Sequence, residues 1–401
     1  GQCDYAAANE ILNKLAVRLD ARWKARVVSM NWGPWESTGG MVSAELAKQF
    51  EKAGIRLIGR QQGADAFVDE LMYGQKGETE IVLGGPLNVS LPAPTMAAPP
   101  GTSATASELP LLARNTRIER NPDGSLDLVR TADPQHDLYL IDHQLDGKPV
   151  MPMAMVLELF AEAAAFQHPD HHVARVRDLR VLRGITFDRS PQDLRVVTTA
   201  SRPSGAGLIV GLRNELGQKP VIHDTAEVEL LAKPAAPVVL APLSLVNPQP
   251  LGMTIDEAYE RWLFHGPIFA GIVEVAALGE NGVIAQLMPS SPKRCLAECC
   301  ESNWLIDPIL VDSGLQMIIL WARTYLDMTP LRSRLGCYHR FNGPPAGPIR
   351  CETHIHHTPG TPTIVADIRF FDGDGRLLGR LEDMEGTCSK ALNRLASARV
   401  R

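Results

Sequence analysis

The chain has 401 residues, room for two or three domains, and its 45% hydrophobic and 21% charged residues are the balance of an ordinary globular protein. A net charge of −6, with no lysine- or arginine-rich stripe, argues against a nucleic-acid partner. No segment is long and apolar enough to span a membrane, and Gly1-Gln2-Cys3-Asp4-Tyr5 lacks the basic region and apolar run of a signal peptide.

The chain opens in mid-helix without start signals, so an excised piece of something larger is expected. Its 7 cysteines are scattered, which disfavours a disulfide framework and makes the reducing cytoplasm the expected compartment. Cys295, Cys299 and Cys300 lack the paired spacing of a zinc site and read as free thiols.

Residues 1–91 read as the end of an α/β unit. Ala6, Ala7, Ile11, Leu12, Leu15 and Leu19 keep a period close to 3.6 and predict a helix over 5–22. A strand is expected at 25–30, helices at 43–53 and 62–73, and a short buried strand at 80–83 closed by Gly84-Gly85-Pro86. Residues 92–116 form a Pro/Ala-rich linker, in which Pro92, Pro94, Pro99, Pro100 and Gly101 deny regular structure.

Between 117 and 390 short strands dominate, around two strong helices. The first, 152–166, is apolar nearly all round, interrupted by Glu158 and Glu162; the second, 308–326, has the same character through Leu315, Met317, Ile318, Ile319, Leu320 and Trp321. Helices of this kind are wrapped by the rest of a fold rather than laid on its surface. Strands are expected at 126–129, 174–182, 193–200, 206–213 and 223–231 around the first helix. Around the second they are expected at 271–278, 282–287, 350–357, 363–371 and 377–387. This α+β pattern is one architecture used twice: a curved antiparallel sheet around a central helix, over 117–233 and again over 251–390. A connection with five prolines (234–250) joins the halves, and a tail (391–401) follows.

Two short stretches carry the chemistry. His143 to Pro152 reads H-x3-G-x4-P, and Asp312 to Gln316 reads D-x3-Q. Eliminating water from a β-hydroxyacyl group removes a weakly acidic α-proton and expels a poor leaving group, so a base and an acid must flank the Cα–Cβ bond. Neutral imidazole, with an ordinary pKa of about 6.5, suits His143 as the base. Asp312 lies in an apolar helix, where burial is expected to raise its pKa and keep it protonated as the acid. Gln316 follows one turn later on the same face and can orient the carboxyl. Gly147 allows a tight turn, and Pro152 suits a first helical turn whose amides can polarise a thioester carbonyl. His354, His356 and His357 have no acid at matching spacing and read as strand-face residues, so no metal site is expected.

These motifs resemble the dehydratase domain of iterative polyketide and polyunsaturated fatty acid synthases. Phe264-His265-Gly266-Pro267-Ile268-Phe269 resembles the family's Y-G-P-x-F loop, with His265 where the family usually has tyrosine. The resemblance implies a double hotdog fold and dehydration of 3-hydroxyacyl thioesters to trans-2-enoyl products. It implies His143, Asp312 and Gln316 as catalytic residues, with Gly147, Pro152, His265, Gly266, Pro267 and Phe269 lining the substrate site. The substrate would ride on the phosphopantetheine of an acyl carrier protein, with no cofactor for the dehydration itself, and the domain would be a homodimer. His265 is expected to be pocket wall rather than a second base.

The first 91 residues carry a second resemblance. Tyr5-Ala6-Ala7-Ala8-Asn9 is similar to the Y-x3-N of a polyketide ketoreductase, and Asn31-Trp32-Gly33-Pro34-Trp35 with Gly39-Gly40-Met41 to the segment downstream of it in that family. No G-x-G-x-x-G follows a strand, so Tyr5 and Asn9 are expected to be remnants of a partial Rossmann-like domain that binds no NADPH. A ketoreductase tail leading into a dehydratase resembles the order in enediyne-type and polyunsaturated fatty acid synthases.

Overall fold

The computed structural model describes residues 3–36, 57–74, 76–83, 108–121, 126–188, 190–200, 207–216, 219–235, 238, 240–299, 302–341 and 347–396. The chain divides into two compact units, Gly1–Pro99 and Pro100–Arg401. The helix expected at 43–53, Gly39-Gly40-Met41, Gly84-Gly85-Pro86 and linker residues 92–107 lie outside the described residues.

The first unit contains α1 (Cys3–Asp20), β1 (Ser29–Trp32), α2 (Arg60–Tyr73) and β2 (Glu80–Leu83). β1 and β2 pair in parallel, Ser29 opposite Glu80 and Trp32 opposite Leu83. β1 begins later than expected because the Val27 amide donates to Asp20 Oδ1 at 2.8 Å instead of joining a ladder. Ile11, Leu12 and Leu15 on α1 and Phe67, Leu71 and Met72 on α2 are exposed.

The second unit begins with β3 (Thr116–Arg120), β4 (Leu126–Ala132), α3 (Tyr139–Asp142) and the two-residue strands β5 (Gln144–Leu145) and β6 (Lys148–Pro149). It continues through α4 (Met153–Gln167), β7 (His172–Val181), β8 (Gln192–Ala200), β9 (Gly207–Leu216) and β10 (Lys219–Leu231). The second half holds α5 (Ile255–Arg261), β11 (Ile272–Gly279), β12 (Gly282–Leu287), α6 (Pro292–Cys295) and α7 (Pro308–Tyr325). β13 (Thr329–Arg340), β14 (Ile349–His357), β15 (Thr363–Phe371), β16 (Leu377–Ser389) and a 3-10 helix (Lys390–Ala396) complete it.

Apart from β5 and β6, the described strands of this unit form one twelve-stranded sheet, ordered β11-β12-β14-β15-β16-β13-β7-β10-β9-β8-β4-β3. Every neighbouring pair is antiparallel. Six strands come from each half, and the halves meet where β7 pairs with β13, Leu179 opposite Leu335 and Val176 opposite Tyr338. The first half wraps α4 and the second wraps α7, and the two helices touch each other.

The sequence reading missed β13, the seam strand. It contains Pro330, Gly336 and three arginines, poor strand material judged locally; pairing on both sides overrides that preference. The linker is shorter than expected, because Leu109, Leu111 and Leu112 are buried in the core. The tail also begins later: Leu395 and Ala396 are buried, and Asn393 accepts from the Thr329 hydroxyl at 2.9 Å.

The two acids inside α4 fasten this unit. Glu158 accepts from the Leu305 and Ile306 amides at 2.8 and 2.6 Å, and Glu162 from those of Leu111 and Leu112 at 2.9 and 3.0 Å. Burial pushes both carboxyls above the ordinary range. Glu158 thereby anchors the segment that leads into α7.

Candidate active site

His143 caps the end of α3, and its Nδ1 lies 2.8 Å from the Val150 carbonyl oxygen. A carbonyl only accepts, so Nδ1 carries the proton and Nε2 presents a lone pair. Burial pulls the imidazole below its ordinary pKa; the Asp312 charge opposes this without reversing it. The ring is therefore neutral at pH 7, as a base must be.

Asp307 sets the start of α7: its Oδ1 accepts from the Ile309 and Leu310 amides at 3.0 and 3.1 Å, and Pro308 occupies the first helical position. One turn on, Asp312 is 1% exposed. Its Oδ2 lies 3.2 Å from His265 Nε2 and accepts from Gln316 Nε2 at 2.8 Å. Its Oδ1 lies 3.6 Å from Arg332 Nη1. Burial does push this carboxyl up, as the sequence suggested. The pull of His265 and Arg332, a smaller one from His143 when it is protonated, and the Gln316 hydrogen bond outweigh it, and the net shift is downward. The expectation of a protonated Asp312 is thus corrected: with no partner identified from sequence, burial alone set the expected sign.

The 264–269 loop joins the two halves of the site. His265 bridges His143 in antiparallel fashion and stacks on Phe264, with ring centroids 4.0 Å apart. The Gly266 amide donates to Asp142 O and the Ile268 amide to Asp142 Oδ2, both at 2.6 Å. Glycine is required at 266, since a Cβ there would stand 2.3 Å from Asp142 Cγ. Pro267 opens a 3-10 turn that ends at Phe269, whose ring lies 5.5 Å from His143. The Phe269 carbonyl accepts from Gln316 Nε2 at 3.0 Å.

Two expected positions fall elsewhere. Gly147, at φ 75° in the β5–β6 turn, lines a groove of about 590 Å³ with Ile141, Gln144, Lys148 and Phe187, and Asp312 is not among the residues that line it. Pro152 is the N-cap of α4, and the helix begins at Met153. Two residues escaped the sequence reading. Tyr259 on α5 donates to Gln316 Oε1 at 2.8 Å, and the only signal for its helix is the Thr254–Glu257 capping box. Arg332 lies on the unforeseen β13.

Metal-ligating groups gather in three places among the described residues. These are His143, His265 and Asp312; Cys337, His339 and Glu382; and His354, His356 and Asp367. In the second, Arg175 donates to His339 Nδ1 at 3.2 Å and Arg380 pairs with Glu382 at 2.8 Å. In the third, the acid absent from the local sequence comes from β15: Asp367 stands opposite His354, its Oδ2 3.1 Å from His356 Nε2.

A histidine from one sheet-wrapped helix unit and a carboxylate from the other meet beside the 264–269 loop, in the two-helix, one-sheet arrangement of a double hotdog. The comparisons agree. Residues 110–209 match the family described as polyketide synthase dehydratase domain, and 241–397 the one described as polyketide synthase dehydratase N-terminal domain. The chain is 26% identical over 341 residues to a polyunsaturated fatty acid synthase subunit of Thraustochytrium sp. (strain ATCC 26185 / S-3), covering 82% of this chain and 11% of that protein. It is 23% identical over 221 residues to the non-reducing polyketide synthase ausA of Aspergillus calidoustus, covering 50% and 9%. It thus spans about a tenth of the length of these relatives.

Among solved structures, the dehydratase domain of the polyketide PpsC from Mycobacterium tuberculosis aligns with a TM-score of 0.55 at 19% identity, over 68% of this chain and 97% of that one. The dehydratase domain from the CurF module of curacin polyketide synthase gives 0.59 at 16%, over 71% and 100%. Residues 110–397 belong to the polyketide synthase dehydratase family, lyases that act on 3-hydroxyacyl thioesters.

Proposed function

We propose that His143 and Asp312 carry out this dehydration as base and acid. One observation carries the reading: nitrogens of His143 and His265 and an Asp312 oxygen lie within 4.8 Å of one another, contributed by both halves of the fold. His143 Nε2 takes the proton from C2. The C2–H electron pair becomes the C2–C3 double bond, and the C3–O bond breaks. The hydroxyl leaves as water with a proton from the Asp312–His265 pair, because Asp312 alone is held ionised. Amides of the first turn of α4, at Met153 and Ala154, precede the first intrahelical bond and are suited to polarise the thioester carbonyl.

We read the substrate as a 3-hydroxyacyl group on the phosphopantetheine of an acyl carrier protein, and the setting as an iterative synthase with the domain as a homodimer. The match to a polyunsaturated fatty acid synthase supports the setting. Residues 1–91 are read as the end of a ketoreductase, supported by the parallel β1–β2 pair and by Tyr5 and Asn9 one turn apart on α1.

Mass spectrometry of a carrier protein loaded with a 3-hydroxyacyl chain, before and after incubation with this chain, tests the proposal. Loss of one water is expected, slowed by at least about 100-fold in His143→Ala or Asp312→Ala. Undiminished loss of water in both variants would refute the assignment.

A further inference from the structure

β13 brings one more charged side chain to Asp312. Arg332 and Arg334 are two residues apart and in a regular strand would share a face. The β13–β16 register slips between them, and they point to opposite faces instead. Arg334 lies toward the outer surface, with its Nε 2.6 Å from Asp178 Oδ1 and its Nη1 2.7 Å from Glu385 Oε1. Arg332 turns inward, its side chain 13% exposed and its Nη1 3.6 Å from Asp312 Oδ1.

That distance is too long for a good hydrogen bond, so the pairing is electrostatic. Nη2 of the same guanidinium is buried and has no acceptor among the described residues. A neutral side chain would fill the space at lower cost, since a buried cation with an unused donor is destabilising. Burial pulls its pKa down against the Asp312 charge. The unused donor belongs to the guanidinium that faces Asp312, the carboxylate read above as acting on the C3 oxygen.

We infer that Arg332 is a further catalytic residue, donating from Nη2 to the C3 oxygen of the substrate as that oxygen departs. The inference rests on the dehydratase reading of His143 and Asp312. Arginine stays protonated and cannot supply the proton of the leaving water. Its part is to stabilise negative charge as the C3–O bond stretches, while the Asp312–His265 pair delivers the proton. A donor of that kind acts on kcat rather than on ground-state binding.

The test measures kcat and KM on a 3-hydroxyacyl-loaded carrier protein, with thermal melting, for Arg332→Met, Arg332→Lys and Arg332→Ala. The expected result is a kcat lower by about 100-fold in Arg332→Met with KM within about threefold, a smaller loss in Arg332→Lys, and recovery of Arg332→Ala by added guanidinium ion but not by sodium. A kcat for Arg332→Met within about threefold of the unmodified protein would overturn it. So would an inactive Arg332→Ala that guanidinium leaves inactive while its melting is unchanged. If His143→Ala and Asp312→Ala keep full activity, the dehydratase assignment itself falls, a result separable from these.

Discussion

The hydroxyl of Tyr259 donates to Oε1 of Gln316 across 2.8 Å and itself accepts from the Ile272 amide at 3.2 Å. Gln316 uses its other end on Asp312 Oδ2 and the Phe269 carbonyl. The carboxamide is therefore held at both ends, and it fixes the carboxylate it touches. Tyr259→Phe leaves the Gln316 oxygen and the Ile272 amide buried without this partner, a cost of about 1–3 kcal/mol. A lower melting temperature and a kcat reduced less than in Asp312→Ala are expected; a melting temperature equal to that of the unmodified protein would contradict the role.

The pH dependence follows from His143. Its pKa lies below the ordinary histidine value, so the neutral base persists as pH falls through about 6.5 and is lost only at lower pH. The acid limb of kcat/KM should therefore have its midpoint below about 6.5. Asp312→Asn removes the charge that props this pKa up, and the residual activity should extend to still lower pH. A pH-rate series on both proteins checks the order.

Stability should run the other way with pH because of Glu162. Its folded-state pKa is raised by burial, so its contribution is fully present below the ordinary carboxylate range and is lost as pH rises through the raised value. In Glu162→Gln the amide oxygen can accept from Leu111 and Leu112 while the amide nitrogen donates to Glu158. Melting scans from acid to neutral pH should show the unmodified protein losing stability relative to Glu162→Gln. Parallel curves would show that the two acids hold no excess proton.

Gly266→Ala drives a methyl group into the Asp142 carboxyl. Overpacking of this kind costs about 1–3 kcal/mol. The displaced loop carries His265, so the loss of kcat should exceed what the melting temperature suggests. Equal activity in the alanine variant would show that the loop position does not matter to catalysis.

Ten of the strands were readable from their short apolar runs, and the two helices because they are apolar nearly all round and long enough to be wrapped by the sheet. The motif residues were readable because the chemistry needs those side-chain types close to a helix start or on one helix face. What escaped depends on distant partners. Arg332 looks like a solvated residue until the register slip turns it inward. The sign of the Asp312 shift depends on His265 and Arg332, which come from other elements. Asp367 joins His354 and His356 only through strand pairing.

The seam between β7 and β13 has a kinetic consequence. These strands are distant in the chain, and loop closure of that length makes their pairing an unfavourable early event and an expected late one. Each half can gather its own helix and strands first, but neither contains a complete site. Return of activity during refolding should therefore lag the return of helical signal, and turnover becomes a clock for the joining of the two halves.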